Sequence, residues 1–221
     1  MRRAAWTSAA SVGVLLAMGG CAGDGTAAET EPAAGEAATP AGGEAGGGTG
    51  DGSGGVEPAV TGTFQDPDGN EVGTVEIGED DGGTRLSVGV TGLTPGFHGL
   101  HVHAVGLCEP DSPNPTDPAQ VGDFLSAGGH LGAADADHGA HAGDLPSLYV
   151  DASGTGTLEV ATDAFTAEDL LDDDGSAVMV HANRDNFAHI PERYAPQGPD
   201  EQTRRTGDAG DRVACAVVEE E

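Results

Sequence analysis

From about Val56 onward, short runs of alternating apolar and polar residues are separated by Gly-, Asp- and Pro-rich breaks. A strand turns successive side chains to opposite faces, so such runs read as half-buried β-strands. They fall at Val60 to Phe64, Val72 to Ile77, Arg85 to Val90, Phe97 to Ala104, Ser147 to Val150, Gly156 to Ala161, Ala177 to His181 and Arg212 to Val218. Asp66-Pro67-Asp68-Gly69-Asn70 and Glu79-Asp80-Asp81-Gly82-Gly83 are strong turn signals between the first three. Thr166 to Leu171 reads as one or two helical turns. Two stretches, Glu109 to His141 and Ala182 to Gly210, carry no strand pattern. Structureless loops of that length are uncommon in a compact domain and are usually functional. The pattern predicts an all-β sandwich or flattened barrel with two long functional loops.

The first 55 residues follow other rules. Arg2 and Arg3 precede the apolar run Ala9 to Met18, which is shaped as an export signal and is too short to span a bilayer. Its end, Leu16-Ala17-Met18-Gly19-Gly20-Cys21, resembles a bacterial lipoprotein processing site. That reading makes residues 1–21 a signal peptide, with cleavage before Cys21 and lipidation of its thiol. Residues 22–55 are Gly, Ala, Glu, Thr and Pro with almost nothing apolar larger than alanine. Such a segment cannot bury enough surface to offset its ordering entropy, so it reads as a flexible spacer ahead of a domain at 56–221.

Composition narrows the partners. The net charge is −30, with 38 acidic residues, eight arginines and no lysine. Removing Arg2 and Arg3 with the signal takes the charge to −32. Nucleic acid and anionic lipid both demand a basic surface, so neither fits; membrane contact would come only through a lipid on Cys21. Glycine is abundant (38 residues) and aromatics are scarce (4%), which suits strands and tight turns rather than a helix bundle. Besides Cys21, only Cys108 and Cys215 remain, one candidate disulfide or two unlinked buried thiols.

Six of the eight histidines lie between positions 98 and 141. His101 and His103 are two apart on a predicted strand, so both rings leave the same face. His130 follows Gly128-Gly129, and His138, His141 and Asp144 follow at intervals of eight, three and three. Three histidines and a carboxylate match a tetrahedral zinc site in type and number, although a solvated His-rich loop has the same composition. His181 ends the apolar run Ala177 to Val180, where it could cap the core or bind metal. Imidazole nitrogens suit copper and zinc. The residues alone therefore describe an exported β domain binding one or two transition-metal ions.

Longer segments go further. Gly96-Phe97-His98-Gly99-Leu100-His101-Val102-His103 resembles the copper-binding strand of copper,zinc superoxide dismutases. His141-Ala142-Gly143-Asp144-Leu145-Pro146 resembles the end of that family's zinc loop, and His181 to Phe187 the strand end carrying the last copper ligand. Gly210-Asp211-Arg212-Val213-Ala214-Cys215-Ala216-Val217 is similar to its closing segment. The matches keep the family's order over roughly Ala59 to Val218, and Asn186 to Tyr194 looks more like secreted actinobacterial members than animal ones. Two departures stand out: the His138–His141 interval is short, and the stretch from His181 to Arg212 is long and differs in sequence.

The resemblance implies a Greek-key eight-stranded β-barrel. It implies copper on His101, His103, His130 and His181, and zinc on His130, His138, His141 and Asp144, with His130 bridging. Asp185 would orient ligand histidines from both sites, His98 would be structural, and Cys108 and Cys215 would form the disulfide. The implied reaction converts two superoxide anions and two protons to oxygen and hydrogen peroxide by alternate reduction and oxidation of copper. His130 would deliver a proton and Arg212 would guide the anion. Since Arg184, Arg193, Arg204, Arg205 and Arg212 all follow His181, this stretch is expected to form a local positive funnel on an acidic protein. Family members form different dimers or stay monomeric, so a homodimer is compatible with the resemblance. The competing expectation is a copper-binding or copper-delivery lipoprotein on the same scaffold without turnover.

Overall fold

The computed structural model describes residues 59–80 and 83–221. Its elements are β1 (Val60–Gln65), β2 (Glu71–Asp80), β3 (Gly83–Val90), β4 (Gly96–His98), β5 (Leu100–His103), β6 (Ser112–Asn114), β7 (Asp117–Gly122), β8 (Leu148–Val150), β9 (Gly156–Thr162), β10 (Ala177–His181), α1 (Glu201–Thr206), β11 (Arg212–Val217) and β12 (Glu219–Glu220). Single 3-10 turns occur at Leu125–Ala127 and Glu168–Leu171, the second where the sequence predicts a helical turn. The signal-peptide, linker and Cys21 expectations lie outside the described residues.

The strands are antiparallel and run β4-β8-β9-β3-β2-β1-β11-β10-β5, with β12 against β1. Strands β3 and β9 are neighbours although distant in sequence, as in a Greek-key connection. The two ends of this path are consecutive in the chain, which nearly closes the sheet into a barrel. The eight expected strands are all present, with one of them, Phe97 to Ala104, split into β4 and β5. Phe97 pairs with Tyr149 of β8, whereas His101 pairs with Met179 of β10. The change of partner happens at Gly99. Its backbone N–H donates to Asn183 O and its carbonyl accepts from His181 N, both at 2.8 Å, and a β-carbon there would lie 2.7 Å from Ala209 Cβ. In the sequence the break shows only as a change of parity, from apolar Phe97 to apolar Leu100 and Val102, which the expectation of a single strand overlooks.

Turn chemistry behaves as its residues dictate. The Asp66 carboxylate accepts from Asp68 N and Asn70 N at 3.0 and 2.9 Å, closing the β1–β2 turn locally. Val60, Phe64, Val75, Ile77, Leu86, Leu100, Val102, Leu148, Val178 and Val180 point inward and form the barrel core. A second, outer cluster of Phe124, Ala127, Ala177, Met179 and Cys215, with Cys108 packed on it, holds the first long loop against β10 and β11. There the Cys108–Cys215 disulfide forms, with Cα atoms 5.7 Å apart.

Both long loops contain structure that their sequence does not announce. Residues 109–141 include the β6–β7 hairpin, and residues 182–210 include α1. Ser112-Pro113-Asn114 and Asp117-Pro118 look like turn residues, but Pro is tolerated in a two-stranded edge ribbon. Helix α1 is too short for a periodic signal. Its stability comes from an N-cap, with the Asp200 carboxylate accepting from Thr203 N at 2.9 Å, and from Gly207 at its C-terminus.

Candidate metal centre

On β5 the alternation that sends Leu100 and Val102 into the core sends His101 and His103 to the outer face, beneath the first long loop. The returning loop is laid along β5 by backbone hydrogen bonds: Ala104 N to Gly129 O (3.0 Å), Leu131 N to Val102 O and Val102 N to Gly143 O (both 2.8 Å). This brings His130 opposite His103 and Asp144 opposite His101. His181 arrives from the end of β10, where a register shift after Val180 re-aims it. The four residues His101, His103, His130 and His181 are all buried, and their ligand atoms lie within 4.8 Å of one another.

The hydrogen bonds decide which nitrogen each ring offers. His103 Nδ1 donates to Gly128 O (3.0 Å) and His181 Nδ1 to Gly210 O (3.1 Å). His101 Nε2 donates to Asp185 Oδ2 (2.7 Å) and His138 Nε2 to Asp185 Oδ1 (2.8 Å). His141 Nε2 donates to Ala136 O (3.0 Å). In a neutral ring such a bond fixes the tautomer and leaves the opposite nitrogen without a proton. Three of those nitrogens, His101 Nδ1, His103 Nε2 and His181 Nε2, are buried without a hydrogen-bond partner, whereas His138 Nδ1 faces Asp144 Oδ1. Orphaned buried polar atoms are costly, and here all three belong to candidate ligands. A bound cation would satisfy them.

A second group adjoins the first. Asp144 Oδ1 is 2.9 Å from His130 Nδ1, 3.0 Å from His138 Nδ1 and 3.3 Å from His141 Nδ1. His130 Nδ1 and His141 Nδ1 are themselves 3.3 Å apart. Four ligands in a tetrahedron around zinc, each about 2.0–2.1 Å from it, stand about 3.3 Å from one another. These separations therefore trace the edges of a zinc cage. His101 also lies near enough to group with His130, His138 and Asp144. Because its Nε2 is spent on Asp185 and its free Nδ1 belongs with the first group, His141 is the better fourth ligand. His130 alone has no carbonyl or separate carboxylate as an anchor, and it belongs to both groups.

Burial dominates the electrostatics of the first group. It pushes His103 and His181 well below the usual imidazole range, with the Arg212 charge acting in the same direction, and moves His130 down to about 4. Burial also outweighs Asp185 at His101, which is lowered. These rings are neutral at pH 7 and ready to bind a metal. At His138 burial loses to the hydrogen bonds the ring donates to Asp144 and Asp185, and it rises to about 9. Burial likewise loses to the histidine bonds at Asp144 and Asp185, both held well below the usual carboxylate range.

Arg212, whose guanidinium is pushed down to about 10 by burial and stays charged, donates to the carbonyls of Phe124 and Gly128. Gly128 O thus holds both Arg212 and His103. His98 is 2% exposed and bonds His181 O and Thr94 O through its two ring nitrogens (2.6 and 2.8 Å), a structural position away from the cluster. Three other arginines of the expected funnel have local partners. Arg205 pairs with Glu201 at 3.4 Å on an exposed helix face, Arg204 lies 3.8 Å from Asp137, and Arg193 stands over the Tyr194 ring. Thr203 and Gly207, which tie α1 to the centre, carry no signal in the sequence that marks them as functional.

A β-barrel whose outer face holds two adjoining histidine-rich cages sharing one imidazole is a binuclear metalloprotein, and its donor set is that of copper and zinc. The family model for copper/zinc superoxide dismutases matches residues 71–218. The chain belongs to the copper/zinc superoxide dismutase family. It is 49% identical over 169 residues to a superoxide dismutase [Cu-Zn] of Mycolicibacterium paratuberculosis, covering 73% of this chain and 74% of that one. It is 48% identical over 168 residues to the protein of that name from Mycobacterium tuberculosis, covering 72% and 70%. Among solved structures it is similar to the Cu/Zn superoxide dismutase of Brucella abortus, with a TM-score of 0.55, 30% identity, and coverage of 72% of this chain and 98% of that one.

Proposed function

We infer that this chain is a copper,zinc superoxide dismutase, converting superoxide to oxygen and hydrogen peroxide. The observation that carries this is the sharing of His130 by two groups of ligands, the first of which adds three buried imidazoles, His101, His103 and His181, that each turn one unpartnered nitrogen to the centre. His101 Nδ1, His103 Nε2, His181 Nε2 and His130 would hold copper. His130 Nδ1, His138 Nδ1, His141 Nδ1 and Asp144 would hold zinc. Copper supplies, when bound, a centre that takes up and returns one electron.

The chain's own groups do the rest. Arg212, fixed by two carbonyls, places a positive charge beside His103 and His181, where an anion approaching the first cage would meet it. His130 needs both nitrogens as ligands when both cages are filled, so it is the imidazole able to take a proton on Nε2 and pass it to reduced substrate. Asp185 keeps the protons of His101 and His138 on Nε2, away from the ligand nitrogens. A copper carrier without turnover is not favoured, since it has no need of a pinned arginine beside the cage.

Elemental analysis of the purified domain beside a superoxide assay, before and after chelation, tests the assignment. One copper and one zinc per chain, with dismutation lost on chelation and regained on reloading, is expected. Metal-loaded protein no more active than free copper would overturn it.

The reading extends to the cell surface. It rests on the export-signal pattern and on Gly19-Gly20-Cys21, with lipidation of Cys21 and a spacer at 22–55 holding the domain outside the membrane. Among the described residues no helix is long and apolar enough to cross a membrane. Mass spectrometry of the exported protein should find a diacylglycerol-modified Cys21 at the N-terminus, and a Cys21→Ser variant should be released into the medium. The reading also includes a homodimer, supported by the adjacent exposed rings of Phe97 and Tyr149 (centroids 5.0 Å apart) and testable by sedimentation.

A further inference from the structure

The second long loop closes on the zinc-side cage through a feature that no ligand motif includes. Helix α1 ends with its C-terminus over His138: the His138 backbone N–H donates to Arg204 O at 2.7 Å. The next turn places Gly207, in left-handed backbone (φ 58°), directly on the bond between His138 and Asp185. A β-carbon on Gly207 would fall well inside contact distance of Asp185 Oδ1 and His138 Nε2. The start of the same loop is tied to this point. Asn186 N donates to Gly207 O (2.9 Å), and Asp208 Oδ2 accepts from both Asn186 Nδ2 (2.6 Å) and Thr203 Oγ1 (2.9 Å). These contacts support His138 from outside its own loop, opposite the Asp144 that faces its Nδ1.

We propose that Gly207 is a positioning residue for the zinc cage: its missing side chain lets α1 close on the Asp185–His138 pair, and that closure sets how tightly the cage holds its metal. The proposal rests on the assignment of His138 to the zinc site. A side chain at 207 must displace either the carboxylate that orders His138 or the ring itself, and outer partners of metal-bound histidines typically govern affinity by about 10–100-fold.

The test uses Gly207→Ala and Gly198→Ala in the full-length protein. Gly198 lies in the same loop with φ 81° and nothing within 4 Å of its would-be β-carbon, so it reproduces the backbone strain without the contact. Zinc affinity is measured by competition with a chelator. Cobalt(II) loaded into the zinc site reports ligand geometry through its visible absorption. Gly207→Ala is expected to weaken zinc about 10–100-fold and to shift the cobalt bands, while Gly198→Ala changes neither. Affinity within twofold of the parent with an unaltered cobalt spectrum overturns the proposal, as does an equal loss in Gly198→Ala. If Gly207→Ala fails to fold, Thr203→Val decides. That variant removes the Asp208 tie at constant volume; severalfold weaker zinc supports the closure, and unchanged zinc overturns it. A parent protein that takes no metal at His138 overturns the zinc assignment itself, whereas normal parent binding with unaffected variants overturns only the role of Gly207.

Discussion

Asp185→Asn tests the centre at its most connected point. The carboxylate accepts from His101 Nε2 at 2.7 Å, from His138 Nε2 at 2.8 Å and from Phe187 N at 2.7 Å, and its side chain is fully buried. An asparagine offers one acceptor oxygen and one NH2 group, so it can satisfy only one of the two rings. The other ring would face donor against donor. It can escape by moving its proton to Nδ1, which is the nitrogen it must give to metal. Hydrogen bonds to a charged group contribute about 1.5–3 kcal/mol, and each 1.4 kcal/mol is tenfold in affinity. Loss of one such bond therefore predicts roughly 10–100-fold weaker binding in at least one cage. The assay is metal content and chelator competition for copper and zinc separately, with circular dichroism to confirm the barrel. Retention of both metals within twofold of the parent would refute the tautomer argument.

Three further outcomes follow from the geometry. Cys108→Ser opens a closed segment spanning 107 positions, for which chain entropy gives a loss of about 4–5 kcal/mol; urea denaturation should show it, and a loss under about 1 kcal/mol would mean the outer cluster alone holds the loop. Arg212→Gln should lower the dismutation rate at low salt about tenfold or more and flatten its ionic-strength dependence, while Arg212→Lys keeps much of that dependence; an unchanged salt profile in the glutamine variant contradicts the steering role. In the metal-free protein, His130 is held at about 4 against 6.5 when unfolded, so stability should fall as pH drops from 6.5 through about 4, by up to roughly 3 kcal/mol from this group. His138, raised to about 9, has the opposite sign: its contribution is complete below pH 6.5 and is lost as pH rises through 9. Denaturation midpoints of the metal-free protein should therefore peak near pH 6–7, and a steady rise to pH 9.5 would contradict the assignment for His138.

Much of the barrel is written in local pattern. Strand β3 alternates half-buried and buried residues through all its length, and β1, β2, β9, β10 and β11 fall where alternation or apolar runs place them. His101 and His103 share a face because a strand repeats every two residues, and no tertiary contact is needed to know it. The resemblance carried the ligand set and the Cys108–Cys215 pairing, and the structure brings those residues together. Local pattern fails where a segment's conformation is set by what it touches. The β6–β7 hairpin and α1 are too short and too polar to show a period, so only their docking defines them. The break at Gly99 leaves only a one-residue change of parity between Phe97 and Leu100, and the pairing of Phe97 with Tyr149 and of His101 with Met179 shows what it means.

The sequence by itself determined which residue types stand on which strand faces and that six imidazoles lie between positions 98 and 141. Only the tertiary structure decided which nitrogen of each ring is free. That choice depends on carbonyls and carboxylates at Gly128, Gly210, Ala136 and Asp185, between 5 and 84 positions away along the chain. It also seated Gly207 against His138, a contact between segments with no shared periodicity. Side-chain direction is a property of the local backbone, whereas proton placement is a property of the neighbours that folding delivers.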